Sequence, residues 1–190
     1  MTAEIPALAA AARDVSLVLA RADLPFCLIG GFAVQRWGEP RATTDVDFSV
    51  LTGYGHEQHA VDLLLGAFKP RVPDPYKFVL RTRVLLIETA AGVGVDVALA
   101  AVPFEQEAIE GATPWEPLPS VELRVCPPEH LIVYKLVAGR PHDLVDVTGI
   151  VRRQRERLDV ERIRHWGRIF ADLKEDSDLL RPFEDALRNA

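Results

Sequence analysis

Carboxylates at alternate positions of a β-strand are the first chemistry this sequence offers. The stretch "DVDFSVL", Asp45 to Leu51, interleaves acids with apolar residues. Strand side chains alternate between faces, so Asp45, Asp47 and Ser49 share one face and Val46, Phe48 and Val50 the other. Aspartate is a poor strand former, and like charges on one face repel. A divalent cation resolves that cost. Hard Mg²⁺ prefers oxygen ligands and is held by one or two carboxylates together with substrate phosphates. The stretch "GVGVDVALA" has the same logic. Val93, Val95, Val97 and Leu99 make an apolar face, and Gly94, Asp96 and Ala98 make the other. If the two strands are neighbours, Asp45, Asp47 and Asp96 converge. That set suits two-metal phosphoryl or nucleotidyl transfer, with the third acid readying the attacking hydroxyl.

The glycine pair Gly30-Gly31 has a matching role. It follows the apolar run "FCLI" and precedes "FAVQRWG", which reads as a short helix closed by Gly38. A strand that ends in two glycines and leads into a helix exposes backbone N–H groups at the positive helix end. Glycine lets phosphate oxygens approach the main chain there. Phosphates gripped by Gly30 and Gly31 could be bridged by metal to Asp45 and Asp47.

The elements that must position these residues follow from periodicity. Leu8, Ala11, Ala12, Val15, Val18 and Leu19 recur at helical spacing, predicting an opening amphipathic helix over about 5–22. "HEQHAVDLLLGAF" predicts a second, with Val61, Leu64, Leu65 and Phe68 on one side. "RVPDPY" reads as a proline-broken loop. "KFVLRTRVLLIETAAGVGVDVALA" reads as two or three strands turning at Ala91-Gly92. "PFEQEAIEG" predicts a short helix, "TPWEPLPS" a loop and "VELRV" a strand. From Pro127 onward helices dominate, the first punctuated by proline at its start and Gly139 at its end. Regular crossover helices are missing between the strands. The expected fold is therefore α/β in the α+β sense: a mixed, mainly antiparallel sheet flanked by helices over residues 1–126, then a helical region over 127–190.

Taken together, Gly30-Gly31, a short helix, a loop with Arg41, Thr44-Asp45-Val46-Asp47 and the later Val95-Asp96-Val97 strand resemble the nucleotidyltransferase superfamily with the DNA polymerase β-like fold. Within it the chain is similar to the small bacterial group that includes the AbiE-type and MenT toxins of type IV toxin–antitoxin systems. The segment "YKLVAGRPHDLVDV", with Lys135, Arg140, Asp143 and Asp146, resembles that group's Lys-then-Arg-x-x-Asp segment. The likeness runs over residues 24 to 150 by motif order. The chain departs from it with Gly31 where many members have serine, and with Thr44 where many have serine or another residue.

The resemblance implies that Asp45 and Asp47 bind Mg²⁺, or Mn²⁺ in its place, and that Asp96 completes the site. It implies that Gly30, Gly31, Arg41 and Thr44 contact the triphosphate and that Lys135 reaches a phosphate as a compact positive charge. Asp143 matches a motif position that serves acceptor contact or structural support. The implied reaction moves a nucleoside monophosphate from a nucleoside triphosphate to a hydroxyl, first of all at a tRNA 3′ end. A cognate antitoxin is the implied partner. An antibiotic-modifying nucleotidyltransferase of aminoglycoside or lincosamide type is the alternative, and a non-catalytic nucleotide-binding module is the third.

Bulk properties set the remaining bounds. The 190 residues suit one domain, or one domain with a small helical appendage. Hydrophobic content of 48% and charged content of 26% describe a chain able to bury a real core. A net charge of −6 argues against a strongly basic duplex binder. Cys27 and Cys126 each lie in apolar runs and read as buried thiols of a reducing cytoplasm. The alanine-rich start carries Glu4, Arg13 and Asp14, unlike a signal peptide, and no apolar run is long enough to span a bilayer. His56 and His59 lack the companion ligands a zinc site needs, and no nucleophile-elbow motif supports a hydrolase. Arg152, Arg153, Arg155, Arg157, Arg162, Arg164 and Arg168 form a basic stretch. It reads either as a salt-bridged helix face with Glu156, Asp159 and Glu161, or as an RNA or antitoxin surface.

Overall fold

The structure, a computed structural model, describes residues 5–189. Its described residues fall into two compact units, residues 5–32 with 42–126 and residues 33–41 with 127–189.

The first unit is built on a seven-stranded sheet. Its strands are β1 (Phe26–Ile29), β2 (Asp45–Leu51), β3 (Lys69–Pro70), β4 (Val84–Glu88), β5 (Gly94–Ala100), β6 (Thr113–Leu118) and β7 (Val121–Val125). The spatial order is β3-β4-β5-β2-β1-β7-β6. β2 runs parallel to β5 and β1 parallel to β7, while the other four pairings are antiparallel. The sheet is thus mixed and mainly antiparallel. Alternation decides the core: Val46, Phe48 and Val50 of β2 and Val95, Val97 and Leu99 of β5 are all buried.

Four helices support the sheet. α1 (Ile5–Arg21) buries the helical stripe Leu8, Ala11, Ala12, Val15 and Leu19 and packs on β2, β6, β7 and α3 (Glu57–Ala67). α4 is Pro75–Thr82, and α5 (Pro103–Glu110) packs on β1 and β2. Helix α2 (Gly30–Trp37) begins at the glycine pair. Cys27 and Cys126 are buried thiols that form no disulfide among the described residues.

Two segments differ from the sequence reading. The proline-rich stretch before Lys77 opens α4 instead of a strand. Asp74 accepts the Lys77 backbone N–H at 3.0 Å and Pro75 occupies the first turn, a start signal that outweighs the β-branched content downstream. Arg83, left-handed at φ 55°, ends the helix so that β4 starts at Val84. The stretch "TPWEPLPS" is also no loop, because its first six residues form β6. Pro114 and Pro117 are tolerated there because β6 is an edge strand with an irregular register between Trp115 and Leu118. Trp115 stacks on Phe32, their ring centroids 5.2 Å apart.

The second unit is helical: α6 (Pro128–Ala138), α7 (Pro141–Gln154), a 3₁₀ turn at Arg155–Arg157, α8 (Val160–Lys174) and α9 (Arg181–Asn189). α6 packs on α7 and α8, and α7 on α9. Gly139, at φ 65°, makes the left-handed turn that closes α6. Pro141 then starts α7. Among the described residues no helix is long and apolar enough to cross a membrane.

Candidate active site

The strand alternation that buries Val46 and Phe48 leaves Asp45 and Asp47 half-buried on the opposite face of β2. Parallel pairing with β5 sets Asp47 directly beside Asp96 and Asp45 beside Gly94. The three carboxylates therefore share one face at adjacent register positions. Gly94 is the small residue that keeps this face open: a Cβ there would lie 2.7 Å from Asp45 Oδ1. Glu88 of β4, paired with Gly94, belongs to the same face and answers Lys69 at 3.9 Å. Sequence alternation did not single out Glu88, because its strand partner was unknown.

The glycine pair sits against this acid face. Gly30 has φ +67°, and a Cβ on it would collide with the Asp47 carboxylate. The Gly31 N–H, at the start of α2, donates to Asp47 Oδ2 at 3.3 Å. In this structure a carboxylate of the chain itself receives an amide expected to face phosphate. A helix N-terminus favours either anion. Thr44 Oγ1 donates to Asp45 Oδ2 at 3.2 Å.

Sequence reasoning missed Arg71, which follows β3 in the proline-broken stretch. Its guanidinium bonds Asp96. Its Nη1 also lies 2.9 Å from the point where a Gly94 Cβ would stand. Its backbone N–H donates to Leu86 O at 2.9 Å, and Leu86 pairs with Asp96. No local pattern marks an arginine that reaches a carboxylate 25 residues later.

These carboxylates suit a hard divalent cation in kind, being oxygen donors on one open face. Their side chains are turned to Thr44, Gly31 and Arg71, and among the described residues no three His, Cys, Asp or Glu side chains form a ready-made metal cluster.

Arg41, Lys135 and Asp143 belong to the second unit. Lys135, in the last turn of α6, is enclosed with 5% of its side chain exposed. Its Nζ lies 2.9 Å from Asp143 Oδ1 and 2.8 Å from Asp146 Oδ2. Asp143 and Asp146 stand three residues apart on α7, so both face inward. Arg140 adds a bond to Asp143 at 2.6 Å. Arg41 grips Asp146 with both sides of its fork, at 2.6 and 2.8 Å, the strong bidentate geometry of charge-assisted pairs. Burial opposes ionisation of Asp143, but the hydrogen bonds from Arg140 and Lys135 outweigh it and hold the carboxyl below its ordinary range. Burial opposes that of Asp146 too, and Arg41 and Lys135 hold it down in the same way. Lys135, expected to reach a phosphate, is here occupied by these two carboxylates.

The basic stretch of the C-terminal helices is largely answered by its own unit. Arg152 pairs with Glu39 at 2.8 Å, Arg162 with Asp159 at 3.6 Å, and Arg164 with Glu161 and Glu184, each at 2.8 Å. Arg153 donates to the Gly38 carbonyl. By contrast Lys77 and Arg81, one turn apart on α4, are exposed and without ion-pair partners among the described residues. With Phe78, Val72, Pro73 and Asp74 they line a shallow pocket of about 350 Å³ in the first unit.

The comparisons agree with this architecture. An antigenic nucleotidyltransferase-like protein from Paracoccidioides brasiliensis superposes with a TM-score of 0.59 at 13% identity, covering 99% of this chain and 95% of that one. The antibiotic-resistance factor ANT(2'')-Ia superposes with a TM-score of 0.59 at 14% identity, covering 90% and 95%. At such identities the likeness is one of fold. No curated protein sequence matches the chain. A family model described as the nucleotidyl transferase AbiEii toxin of type IV toxin–antitoxin systems matches residues 15–189. With that match running across both units, the chain belongs to the AbiEii nucleotidyltransferase toxin family.

Proposed function

We propose that this nucleotidyltransferase moves a nucleoside monophosphate from a nucleoside triphosphate to a hydroxyl at a tRNA 3′ end, with Mg²⁺ as cofactor. The observation that carries the reading is the register that sets Asp47 beside Asp96 and Asp45 beside Gly94 on one open face. Asp45, Asp47 and Asp96 would hold the divalent cation, which when bound supplies charge stabilisation at the phosphates. Asp96 takes the proton of the acceptor hydroxyl. The hydroxyl oxygen bonds the α-phosphorus as the bond to pyrophosphate breaks. Gly30, Gly31 and Thr44 contact the triphosphate. Within the second unit Lys135 and Asp143 fix Arg41 through Asp146.

The choice of a polyanionic acceptor rests on Lys77, Arg81 and Phe78. Two exposed cations without ion-pair partners among the described residues, beside an aromatic ring, suit phosphates and a base of a single strand. Such an enzyme acts in the cytoplasm, where triphosphates and tRNA are present, and its family implies an antitoxin partner. Incubation with labelled triphosphates, Mg²⁺, total tRNA and a panel of aminoglycosides and lincosamides tests the acceptor. Label on RNA alone is the expected result. Label on an antibiotic would transfer the assignment to the resistance class, and failure to bind any triphosphate would leave a non-catalytic module.

A further inference from the structure

The guanidinium of Arg71 lies on the same acid face that the proposed reaction needs for a divalent cation. Its backbone is anchored at Leu86 O, one strand from Asp96, while its side chain bonds Asp96 and lies over Gly94, close to Asp45. Arg71 and Asp96 are partly exposed, with 27% and 36% of their side chains accessible, so the pair can open without breaking the core. Gly94 makes room for it, since a Cβ there would meet Arg71 Nη1 at 2.9 Å. A delocalised, permanently charged fork relieves the repulsion among neighbouring carboxylates as a metal ion would.

We propose that Arg71 is a tethered counter-cation that occupies Asp96 in the metal-free protein and must release it before a divalent cation can bind there. The inference rests on the metal role assigned to Asp45, Asp47 and Asp96 above. Arg71 is a positioning residue in this scheme. It lowers the apparent affinity for bare metal by the fraction of molecules in which Asp96 is engaged. It also keeps the acid face stable until substrate arrives.

The test is calorimetric titration of the full chain with Mn²⁺ and with Mg²⁺ alone, without triphosphate or turnover. Arg71→Gln should raise metal affinity about fivefold or more. Lys69→Gln removes the same charge from a residue that pairs instead with Glu88, and should change affinity less than about twofold. Arg71→Lys, which keeps the charge without the fork, should fall between them. Melting of the metal-free proteins should place Arg71→Gln several degrees below wild type, with saturating Mg²⁺ closing the gap. Equal effects of Arg71→Gln and Lys69→Gln, or no change in either, would overturn the role of Arg71 while leaving the metal site standing. Absence of divalent-cation binding in wild type and Arg71→Gln alike would instead defeat the metal assignment, and this inference with it.

Discussion

Two clusters of carboxylates and cations differ in how completely their charges are enclosed. On the sheet, Asp45, Asp47, Asp96 and Glu88 share a half-exposed face, where Arg71 answers Asp96 and Lys69 answers Glu88 at 3.9 Å. In the helical unit, Asp143 and Asp146 are buried to 0% and 2% side-chain exposure and are held by Lys135, Arg140 and Arg41. The buried set is completed by its own side chains. Its charges are satisfied, and breaking one partner strands the others. The sheet set is open, and acids crowd one face at the cost of strand propensity. Charge left partly open is what a ligand can use, whereas fully enclosed charge holds its own unit together.

The contrast can be broken first at the acid face. Asp45→Asn or Asp47→Asn should lower nucleotidyl transfer by at least about a hundredfold. The melting temperature should stay near wild type, because each change removes like-charge repulsion. A variant that loses activity by unfolding would place these acids with the buried cluster. At Lys135→Met the expected loss is one of stability. The substitution leaves Asp143 and Asp146 without a shared partner and should cost about 3–5 kcal/mol in urea unfolding. Gly30→Ala tests where glycine is required. Its φ of +67° and the collision of a Cβ with Asp47 should cost about 1–3 kcal/mol and impair transfer as well.

Acid pH acts on the buried cluster. Asp143 and Asp146 have folded-state pKa values below their ordinary ones. Their contribution to stability is therefore complete above the unfolded carboxyl value of about 3.9 and is lost as pH falls through the lower folded values. Unfolding followed from pH 6 to pH 2 should show a loss at the acid end that Asp143→Asn reduces. The smallest effect belongs to the surface pair Arg152–Glu39. Arg152→Ala should move the melting temperature by no more than about one degree.

How much of this could be read from sequence depends on how local each cause is. The faces of β2 and β5 follow from alternation alone, and β2 spans Asp45–Leu51 as its pattern predicts. The glycine pair announced a strand-to-helix turn, and α2 starts at Gly30. The start of α4 was also local, written in Asp74 and Pro75, but the apolar run of Phe78, Val79 and Leu80 drew the reading toward a strand. Leu80 is in fact 86% exposed, on the solvent side of a helix that buries Val79. Arg71 and Glu88 were out of reach for a different reason. They join the acid face only through the pairing of β4 with β5 and of β3 with β4, and pairing order is not encoded in any single segment. The enclosure of Lys135 was missed similarly: its helix "HLIVYKLVA" is apolar nearly all round, which permits either a snorkelling lysine or one that meets acids from a neighbouring helix. α7 supplies those acids.

The most direct test of the central claim follows pyrophosphate release and acceptor labelling together, in wild type and in Asp47→Asn. Wild type should release one pyrophosphate for each nucleotide added to the RNA 3′ end, and the variant should do neither above background while keeping its fold. Stoichiometric transfer by Asp47→Asn would contradict the account.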